Sequence, residues 1–217
     1  MSWGAEPHRG ALEAGCRNFV FSSTCATYGD QDGCCWMKTA CRSRSIPGAS
    51  KRAIEDMLTN FGESHGLNHV IFRYFNVAGS DPEGEIGEQH VPETHLIPLM
   101  LDAVAGKRPA LTVFGTDYAT RDGTCVRDYV HVMDLVEAHV LGLQWLLAGK
   151  GSRAFNLGTG TGFTVREVID HSRAVTNRDV PIIEGDRRAG DATALVSGRP
   201  ARSRNWAGSR NDRTCAT

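Results

Sequence analysis

A run of hydroxyl side chains, Ser22, Ser23 and Thr24, closes a short apolar segment that begins at Asn18. An apolar run of this length that ends in hydroxyls is typical of a buried strand. Open α/β sheets bind their ligands beyond the carboxyl ends of their strands. The run therefore predicts a ligand site at the end of this strand, although a strand end or a helix cap without a ligand has the same composition.

A lysine follows the hydroxyls at the start of a predicted helix, in Gly48-Ala49-Ser50-Lys51. The pair resembles the extended short-chain dehydrogenases, which use a Ser or Thr after a strand and Tyr-x-x-x-Lys on the next helix. The resemblance implies that Thr24 and Lys51 are catalytic, and that Lys51 binds the nicotinamide ribose of NAD and lowers the pKa of the tyrosine. In the family that tyrosine is the base toward the sugar hydroxyl. Its position is held here by Pro47, which has no hydroxyl.

The most specific resemblance is to the UDP-glucose 4-epimerases of this family, and it lies in Val113–Tyr118 and Asp122–Leu135. It implies that Phe114 lies beside the uracil and that Arg127 binds the diphosphate. A guanidinium suits this role because it donates two parallel hydrogen bonds to phosphate oxygens. A salt bridge of Arg127 with Asp128 or a neighbour is the alternative.

Three further segments extend this resemblance to a UDP-hexose site: Arg73–Gly79, Thr94–Pro98 and Arg187–Asp191. The second opens a helix, whose free amides suit a pyrophosphate; an ordinary surface helix start is the alternative there. In the third, the resemblance implies a second phosphate-binding arginine and an aspartate on the ribose hydroxyls. The implied cofactor-binding residues are Ser22, Thr24, Lys51 and Phe75, and the implied substrate-binding residues are Asn76, His95, Leu96, Phe114, Arg127, Arg188 and Asp191.

The reaction type depends on the two residues after Thr24. Dehydratases of this superfamily carry Asp and Glu there, whereas this chain has Cys25 and Ala26. Small residues favour an epimerase that interconverts UDP-glucose and UDP-galactose through an NAD-dependent 4-keto intermediate. Two alternatives stay open: another NAD-dependent UDP-sugar epimerase or dehydratase, and a catalytically inactive remnant that at most binds nucleotide weakly.

Parts of the family's pattern are interrupted. The glycine-rich Gly158–Gly162 is not a dinucleotide fingerprint, because residue 163 is Phe and no acidic residue stands about twenty positions on in a βαβ context. The resemblance implies that the true fingerprint, and with it the first part of the NAD domain, is absent. Residues 31–47 fit neither helical nor strand periodicity, and we interpret them as read out of frame relative to the family, in a truncated copy.

The elements that must position these residues alternate between strand and helix, which predicts an α/β fold. We expect an incomplete Rossmann-like parallel sheet plus a smaller α/β substrate-binding domain. The third helix would be capped near Asp134 and the fourth by a capping box of Thr164 and Glu167. The predicted strands are 18–23, 69–75, 111–114, 126–130 and 154–157. The first predicted helix begins after Gly48, and the second covers residues 95–105. The residues predicted to face inward are Leu135, Val136, Val140, Leu143 and Leu147 in the third helix. In the fourth they are Val168, Ile169 and Val175.

The resemblance implies that residues 1–76 are a remnant of the NAD-binding domain and that residues 77–198 are mainly the nucleotide-sugar-binding region with interleaved Rossmann elements. Composition predicts a disordered tail at residues 199–217. A formal net charge of -1 does not favour nucleic acid or an anionic membrane as partner. No apolar run is long enough to span a bilayer, so we expect a cytoplasmic protein. The 7 cysteines show no C-x-x-C pair and have no histidine at ligand spacing, so we expect no metal site. The family resemblance implies a homodimer through helices of the NAD domain.

Overall fold

A computed structural model describes residue 10, residues 12–29 and residues 46–198 of the 217-residue chain. The predictions for residues 31–45 and 199–217 lie outside the described residues. The described strands are β1 (Asn18–Thr24), β2 (Asn68–Tyr74), β3 (Asn76–Ala78), β4 (Leu111–Phe114), β5 (Val126–His131), β6 (Arg153–Leu157), β7 (Gly162–Thr164), β8 (Ile182–Gly185) and β9 (Ala194–Leu195). The described helices are α1 (Ile46–His65), α2 (Leu96–Val104), α3 (Val132–Leu147) and α4 (Val165–Thr176).

The first sheet is parallel and has the strand order β1-β2-β6. Ile71 of β2 packs with Leu58 of α1, whereas its neighbours Val70 and Phe72 pack with Ala138 of α3. Successive side chains of a strand point to opposite faces. The two helices therefore cover opposite faces of the sheet, which is the layering expected for a Rossmann-like fold.

The remaining strands form two further sheets, one of four strands and one of two. In the first, β5 lies between β3 and β7 and also pairs with β9; β7 is antiparallel to β5, whereas β3 and β9 are parallel to it. In the second, β4 pairs with β8 in parallel. A core of Met100, Leu111, Val113 and Ile169 joins α2, β4 and α4. The expected α/β fold with a mainly parallel sheet is confirmed.

The predicted inward face of α3 is wrong for most of its residues. The buried residues of this helix are Ala138, Gly142 and Leu146. A Cβ on Gly142 would lie 2.8 Å from the Phe72 ring, so only a small residue lets the helix approach β2 this closely. The larger apolar residues are consequently turned outward, and Val136, Val140, Leu143 and Leu147 are 45–69% exposed.

The helix ends follow the sequence rules more closely. Thr164 and Glu167 form the predicted capping box of α4. The cap of α3 is His131, three residues before the predicted Asp134, because the His131 ring accepts the amide of Met133 and Asp134 lies in the first turn. Val175 of α4 was predicted to face the core, but it is 68% exposed, so this prediction is wrong.

No helix in the described part of the chain is both long and apolar enough to cross a membrane.

Candidate functional site

The carboxyl end of β1 carries the predicted hydroxyl and lysine. Thr24 ends the strand and caps a 3-10 turn, Cys25–Tyr28, by accepting the amide of Ala26 at 3.2 Å. Lys51 reaches this strand from α1, and its Nζ donates to the carbonyl of Ser22 at 2.8 Å. The structure thus brings Thr24 and Lys51, predicted from separate segments, to the same strand end.

The lysine ammonium keeps much of its hydrogen-bonding capacity for a ligand. It carries three N–H donors, and it forms no ion pair within residues 12–29 and 46–198. Its further contact is the ring of Phe21, whose centroid lies 5.0 Å from Nζ. A half-buried ammonium without a carboxylate partner is suited to hydroxyl groups of a bound sugar or ribose.

Position 47, where the resemblance implies a tyrosine, lies in the first turn of α1. Pro47 is exposed, and its carbonyl accepts the hydroxyl of Ser50 at 3.1 Å. Proline fits a first helical turn because the amide it lacks has no partner there. The helix that carries Lys51 is therefore intact, but it presents no acidic hydroxyl at residue 47.

Ser22 has a partner that sequence reasoning missed. Its Oγ lies 2.7 Å from Nε2 of His139, whose Nδ1 lies 2.8 Å from the carbonyl of Leu135. Only a protonated Nδ1 can bond a carbonyl, so in the neutral ring Nε2 is the acceptor and the Ser22 hydroxyl donates to it. This leaves Ser22 as a hydrogen-bond acceptor toward any ligand. Because 117 residues separate the pair, no local pattern announces it.

A buried charged network fixes the turn behind Thr24. The Arg73 guanidinium donates to both carboxylate oxygens of Glu55 and, through Nη1, to the hydroxyl of Tyr28 at 3.1 Å. Ser23 also donates to Glu55, at 2.5 Å. Burial acts to lower the pKa of Arg73, but these hydrogen bonds outweigh it and hold that pKa above its ordinary value. The network links α1, β1 and β2, and so holds the strand end in place.

The glycine-rich turn at Gly158 encloses a carboxylate of the protein. Asp128 is fully buried and accepts the amides of Thr159, Gly160 and Ser197 at 2.9–3.0 Å. A Cβ on Gly158 would lie 2.5 Å from Oδ2 of Asp128. These amides are therefore used by Asp128, which agrees with the sequence argument against a dinucleotide turn here, and Asp128 has a structural role.

A second group forms around two arginines. Asp191 lies between Arg127 and Arg188: its Oδ1 is 3.8 Å from Nη2 of Arg127, and its Oδ2 accepts Nε of Arg188 at 2.9 Å. The Arg188 guanidinium also covers the ring of Phe114, with its Cζ 4.9 Å from the ring centroid. Four of the predicted substrate-binding residues therefore lie together, with two cations, one anion and one exposed aromatic ring.

Arg127 is held rigidly within this group. Its Nη1 donates to the carbonyls of Val126 and Ala192, both at 2.8 Å, and its side chain is only 13% exposed. Of the alternative, a salt bridge with Asp128 or a neighbour, the structure shows the pair with Asp191 at 3.8 Å and none with Asp128 among the described residues. Tyr129 lies two residues after Arg127 in β5. Burial raises the pKa of its hydroxyl to about 12, although the nearby Arg127 cation acts to lower it.

The other predicted contact residues lie elsewhere. Asn76 is exposed on β3 opposite Tyr129, on the sheet that carries Arg127. Phe75 is buried beside Cys25 and Tyr28. Leu96 packs into the core of α2 and β4. His95 contacts Glu88 and Glu93 through its Nδ1 atom.

The segment that ends at His95 was missed as a chemical feature. His90, Glu93 and His95 offer ligand atoms that all lie within 4.8 Å of one another. The prediction of no metal site rested on the absence of a C-x-x-C pair and of a histidine at ligand spacing from the cysteines. The spacing His-x-x-Glu-x-His was the signal that could have indicated this group.

Comparison with known proteins points in one direction. The sequence profile described as the NAD dependent epimerase/dehydratase family matches residues 9–158. The chain is 53% identical over 188 residues to the UDP-glucose 4-epimerase of Rhizobium meliloti (strain 1021), and covers 57% of that protein. It is 49% identical over 191 residues to that of Rhizobium leguminosarum bv. trifolii, and covers 58% of it. These matches take in 86% of the present chain.

Solved structures agree with the sequence matches. UDP-glucose 4-epimerase from Brucella ovis in complex with NAD superimposes with a TM-score of 0.84 at 42% identity, over 91% of this chain and 62% of that one. The enzyme from Bifidobacterium longum in complex with NAD+ and UDP gives a TM-score of 0.81 at 30% identity, over 90% and 59%. The chain thus spans less than two thirds of the relatives it matches.

Proposed function

We propose that this chain, which belongs to the NAD dependent epimerase/dehydratase family, is part of a UDP-glucose 4-epimerase. It comprises a remnant of the NAD-binding domain and the nucleotide-sugar-binding region. Identity of 53% to a curated relative of that name supports the reaction type. Cys25 and Ala26 after Thr24 support an epimerase over a dehydratase, because neither side chain is an efficient acid for removing water. Whole-enzyme activity is part of the proposal, since the chain spans 57% of that relative.

The observation that carries the proposal is the pair of arginines around Asp191. The largely buried guanidinium of Arg127 and the exposed one of Arg188 lie on either side of Asp191, next to the exposed ring of Phe114. Such a pair suits a diphosphate, since each fork matches phosphate oxygens, and the ring suits a base by stacking. We assign the UDP moiety of a UDP-hexose to this group, with Asp191 on the ribose hydroxyls. Asn76 and His95 are assigned to the same ligand from the resemblance.

The described residues fit one end of NAD. Lys51, with its half-buried ammonium at the end of β1, suits the nicotinamide ribose. Ser22 and Thr24 lie at the end of β1, and Phe75 directly follows β2. When bound, NAD supplies the redox chemistry of the family, because its nicotinamide exchanges a hydride. The chain's own residues bind and orient the cofactor and the sugar, and Thr24 is assigned to the sugar oxygen.

Proton transfer is where this chain departs from the family. The Lys51 ammonium would lower the pKa of a neighbouring hydroxyl, but the proline at position 47 has no hydroxyl. This observation favours a second candidate for the isolated chain, a catalytically inactive protein that still binds nucleotide. The two candidates share the arginine pair and differ in turnover. A homodimer through α1 and a cytoplasmic location remain predictions from the resemblance and the composition.

Isothermal titration calorimetry of UDP binding to the purified chain tests the role of the two arginines. Arg127→Met and Arg188→Met should each weaken UDP binding by about 10- to 100-fold, the effect of losing a hydrogen bond to a charged group. Arg166→Met is the matched control, because Arg166 forms an exposed pair with Glu184 and should leave binding unchanged. Equal UDP affinity in all four proteins would contradict the assignment. NAD titrated in parallel should bind only weakly, because the glycine-rich fingerprint is missing from this sequence.

A further inference from the structure

A buried tyrosine hydroxyl lies unpaired next to the group formed by Phe114, Arg127, Arg188 and Asp191 (the arginine group). Tyr118 belongs to the loop that follows Phe114 and is only 5% exposed. Its hydroxyl is buried and has no hydrogen-bond partner among the described residues. Because a buried donor without a partner destabilises a folded chain, such a group needs an explanation. One explanation is a ligand-bound state in which the hydroxyl is used.

The Tyr118 ring is fixed and cannot turn to find a partner. Arg187 covers one face of the ring, with its Cζ 4.2 Å from the ring centroid, and its Nε donates to Asp117 at 2.7 Å. At the ring edge, a Cβ on Gly115 would lie 2.5 Å from Cε2 of Tyr118. The backbone is also held, because the Tyr118 amide donates to the carbonyl of Gly123 at 2.9 Å. A hydrogen-bond partner must therefore move to this hydroxyl.

The carboxylate of Asp191 has acceptor capacity left for this hydroxyl. Its Oδ2 accepts Nε of Arg188, but its Oδ1 lies 3.8 Å from Nη2 of Arg127, which is too long for a hydrogen bond. The loops that carry Tyr118 and Asp191 follow the paired strands β4 and β8. Burial raises the pKa of Tyr118, and the charge of Asp191 raises it further, so that charge lies close to the hydroxyl. An unpaired donor and a carboxylate oxygen with unused lone pairs are thus neighbours.

A bound diphosphate would change the partners of Asp191. Its oxygens compete with this carboxylate for the guanidinium groups of Arg127 and Arg188. We propose that Tyr118 is a positioning residue of the UDP site: when the diphosphate is bound, its hydroxyl donates a hydrogen bond to the Asp191 carboxylate and holds it toward the ribose hydroxyls. This inference rests on the proposed function. The unpaired hydroxyl destabilises the ligand-free chain, whereas the ligand-bound chain gains a hydrogen bond to a charged acceptor.

Tyr118→Phe tests this role, because it removes the hydroxyl and keeps the ring. UDP affinity, measured by calorimetry, should fall about tenfold, the effect of losing one hydrogen bond to a charged acceptor. Tyr74→Phe is the matched control for binding, because Tyr74 packs on the α3 side of the first sheet, and it should leave UDP affinity unchanged.

The stability of the ligand-free chain gives a second readout. The urea midpoint of Tyr118→Phe should stay the same or rise, because an unpaired buried donor is removed. A hydroxyl with a structural role gives the opposite result. Tyr28→Phe should lower the midpoint, because the Tyr28 hydroxyl donates to Asn156 at 2.7 Å. A lower midpoint together with unchanged UDP affinity in Tyr118→Phe would overturn the proposal.

A double-mutant cycle shows whether Tyr118 acts through Asp191. In the Asp191→Ala background, Tyr118→Phe should change UDP affinity by less than about twofold, because the acceptor is gone. Equilibrium dialysis at high UDP concentration measures this background where calorimetry is too insensitive. An equal loss of affinity in both backgrounds would overturn the positioning role. So would an unchanged affinity in Tyr118→Phe while Arg127→Met weakens binding, a result that leaves the UDP assignment intact. No UDP binding by the parent chain would overturn both.

Discussion

The Nη2 atom of Arg73 lies 2.6 Å from Oε2 of Glu55, and both side chains are buried directly behind the strand end that carries Thr24. Glu55 belongs to α1, the helix of Lys51, and Arg73 belongs to β2. The ion pair therefore ties the lysine helix to the sheet at the point where the candidate catalytic groups meet. Glu55 of this pair also accepts a hydrogen bond from the hydroxyl of Ser23, the residue before Thr24.

Breaking this pair from one side should destabilise the protein strongly. Arg73→Met leaves the Glu55 carboxylate buried without its cation, a change that costs about 3–5 kcal/mol of the free energy of unfolding. The double variant Arg73→Met/Glu55→Met should recover much of that loss. Urea unfolding measures both. Arg166→Met, at an exposed pair, should cost less than about 1 kcal/mol; equal losses at both sites would refute the structural role of the buried pair.

Sequence reasoning succeeded where structure is local and failed where it is not. The capping box of Thr164 and Glu167 was predictable because its two bonds join residues three apart. The outward face of α3 was not, because it depends on Gly142 meeting Phe72 of a strand 70 residues earlier. Periodicity marks two apolar stripes on that helix, and only the sheet decides which one is buried.

The same distinction holds at the candidate site. The grouping of Phe114, Arg127, Arg188 and Asp191 followed from the resemblance, which carries long-range information. The bond between Ser22 and His139 and the cluster around Glu93 did not. The first joins residues 117 apart, and the second depends on side-chain directions within a loop.

The conformation of the turn around Asp128 should be sensitive to a single methyl group. In Gly158→Ala the new Cβ would meet the Asp128 carboxylate, the Ser197 Cβ and the Phe75 ring at 2.5–3.0 Å. We expect a loss of about 1–3 kcal/mol, the usual cost of overpacking. Gly87→Ala is the matched control because no heavy atom lies within 4 Å of its added Cβ. Thermal unfolding compares the two, and equal midpoints would contradict the described turn.

Asp122 should make stability depend on pH at the acid end. Burial acts to raise the pKa of Asp122, but hydrogen bonds from Thr164 and Thr124 outweigh it and hold that pKa below its ordinary 3.8. A carboxyl with a lowered folded-state pKa contributes stability above its unfolded pKa, and that contribution disappears as pH falls through the folded value.

The matching experiment follows Asp122→Asn. At pH 7 this variant should be about 1–2 kcal/mol less stable than the parent, because bonds to a charged acceptor are the stronger ones. The difference should shrink only below the ordinary pKa of 3.8. Asp179→Asn, at an exposed aspartate, provides the control with little difference at any pH. A difference at Asp122 that stays constant down to strongly acid pH would disprove the assignment.

The exposed stripe of α3 should promote self-association. Val136, Val140, Leu143 and Leu147 form an outward apolar face on this helix, and β1 pairs with β2 on one side only in the described sheet. Exposed apolar faces and sheet edges favour aggregation. Val136→Lys/Val140→Lys should lower light scattering while changing the free energy of unfolding by less than about 1 kcal/mol. Ala138→Lys, on the buried face, should instead unfold the chain. Unchanged scattering in the exposed double variant would contradict the idea.

The last prediction concerns Pro47 and the missing base. Thr24 is too weakly acidic to replace a tyrosine, and a lysine is ordinarily protonated near neutrality. Loss of a general base alone costs about a hundred- to ten-thousand-fold in rate. We therefore expect no detectable conversion of UDP-galactose to UDP-glucose by this chain in a coupled assay. We also expect no activity from Pro47→Tyr, because the given sequence carries no NAD fingerprint and because we interpret residues 31–47 as out of frame.

A third protein completes this test: a full-length reconstruction that carries the family's first half, an in-frame 31–47 segment and tyrosine at 47. It should turn over, and restoring proline at 47 in it should lower the rate by at least about a hundredfold while UDP binding is retained. Turnover by the original chain would show that the catalytic assignment of residue 47 is wrong. A reconstruction that is folded and loaded with NAD yet inactive would show that the epimerase proposal itself is wrong, because every group the reaction requires would then be in place.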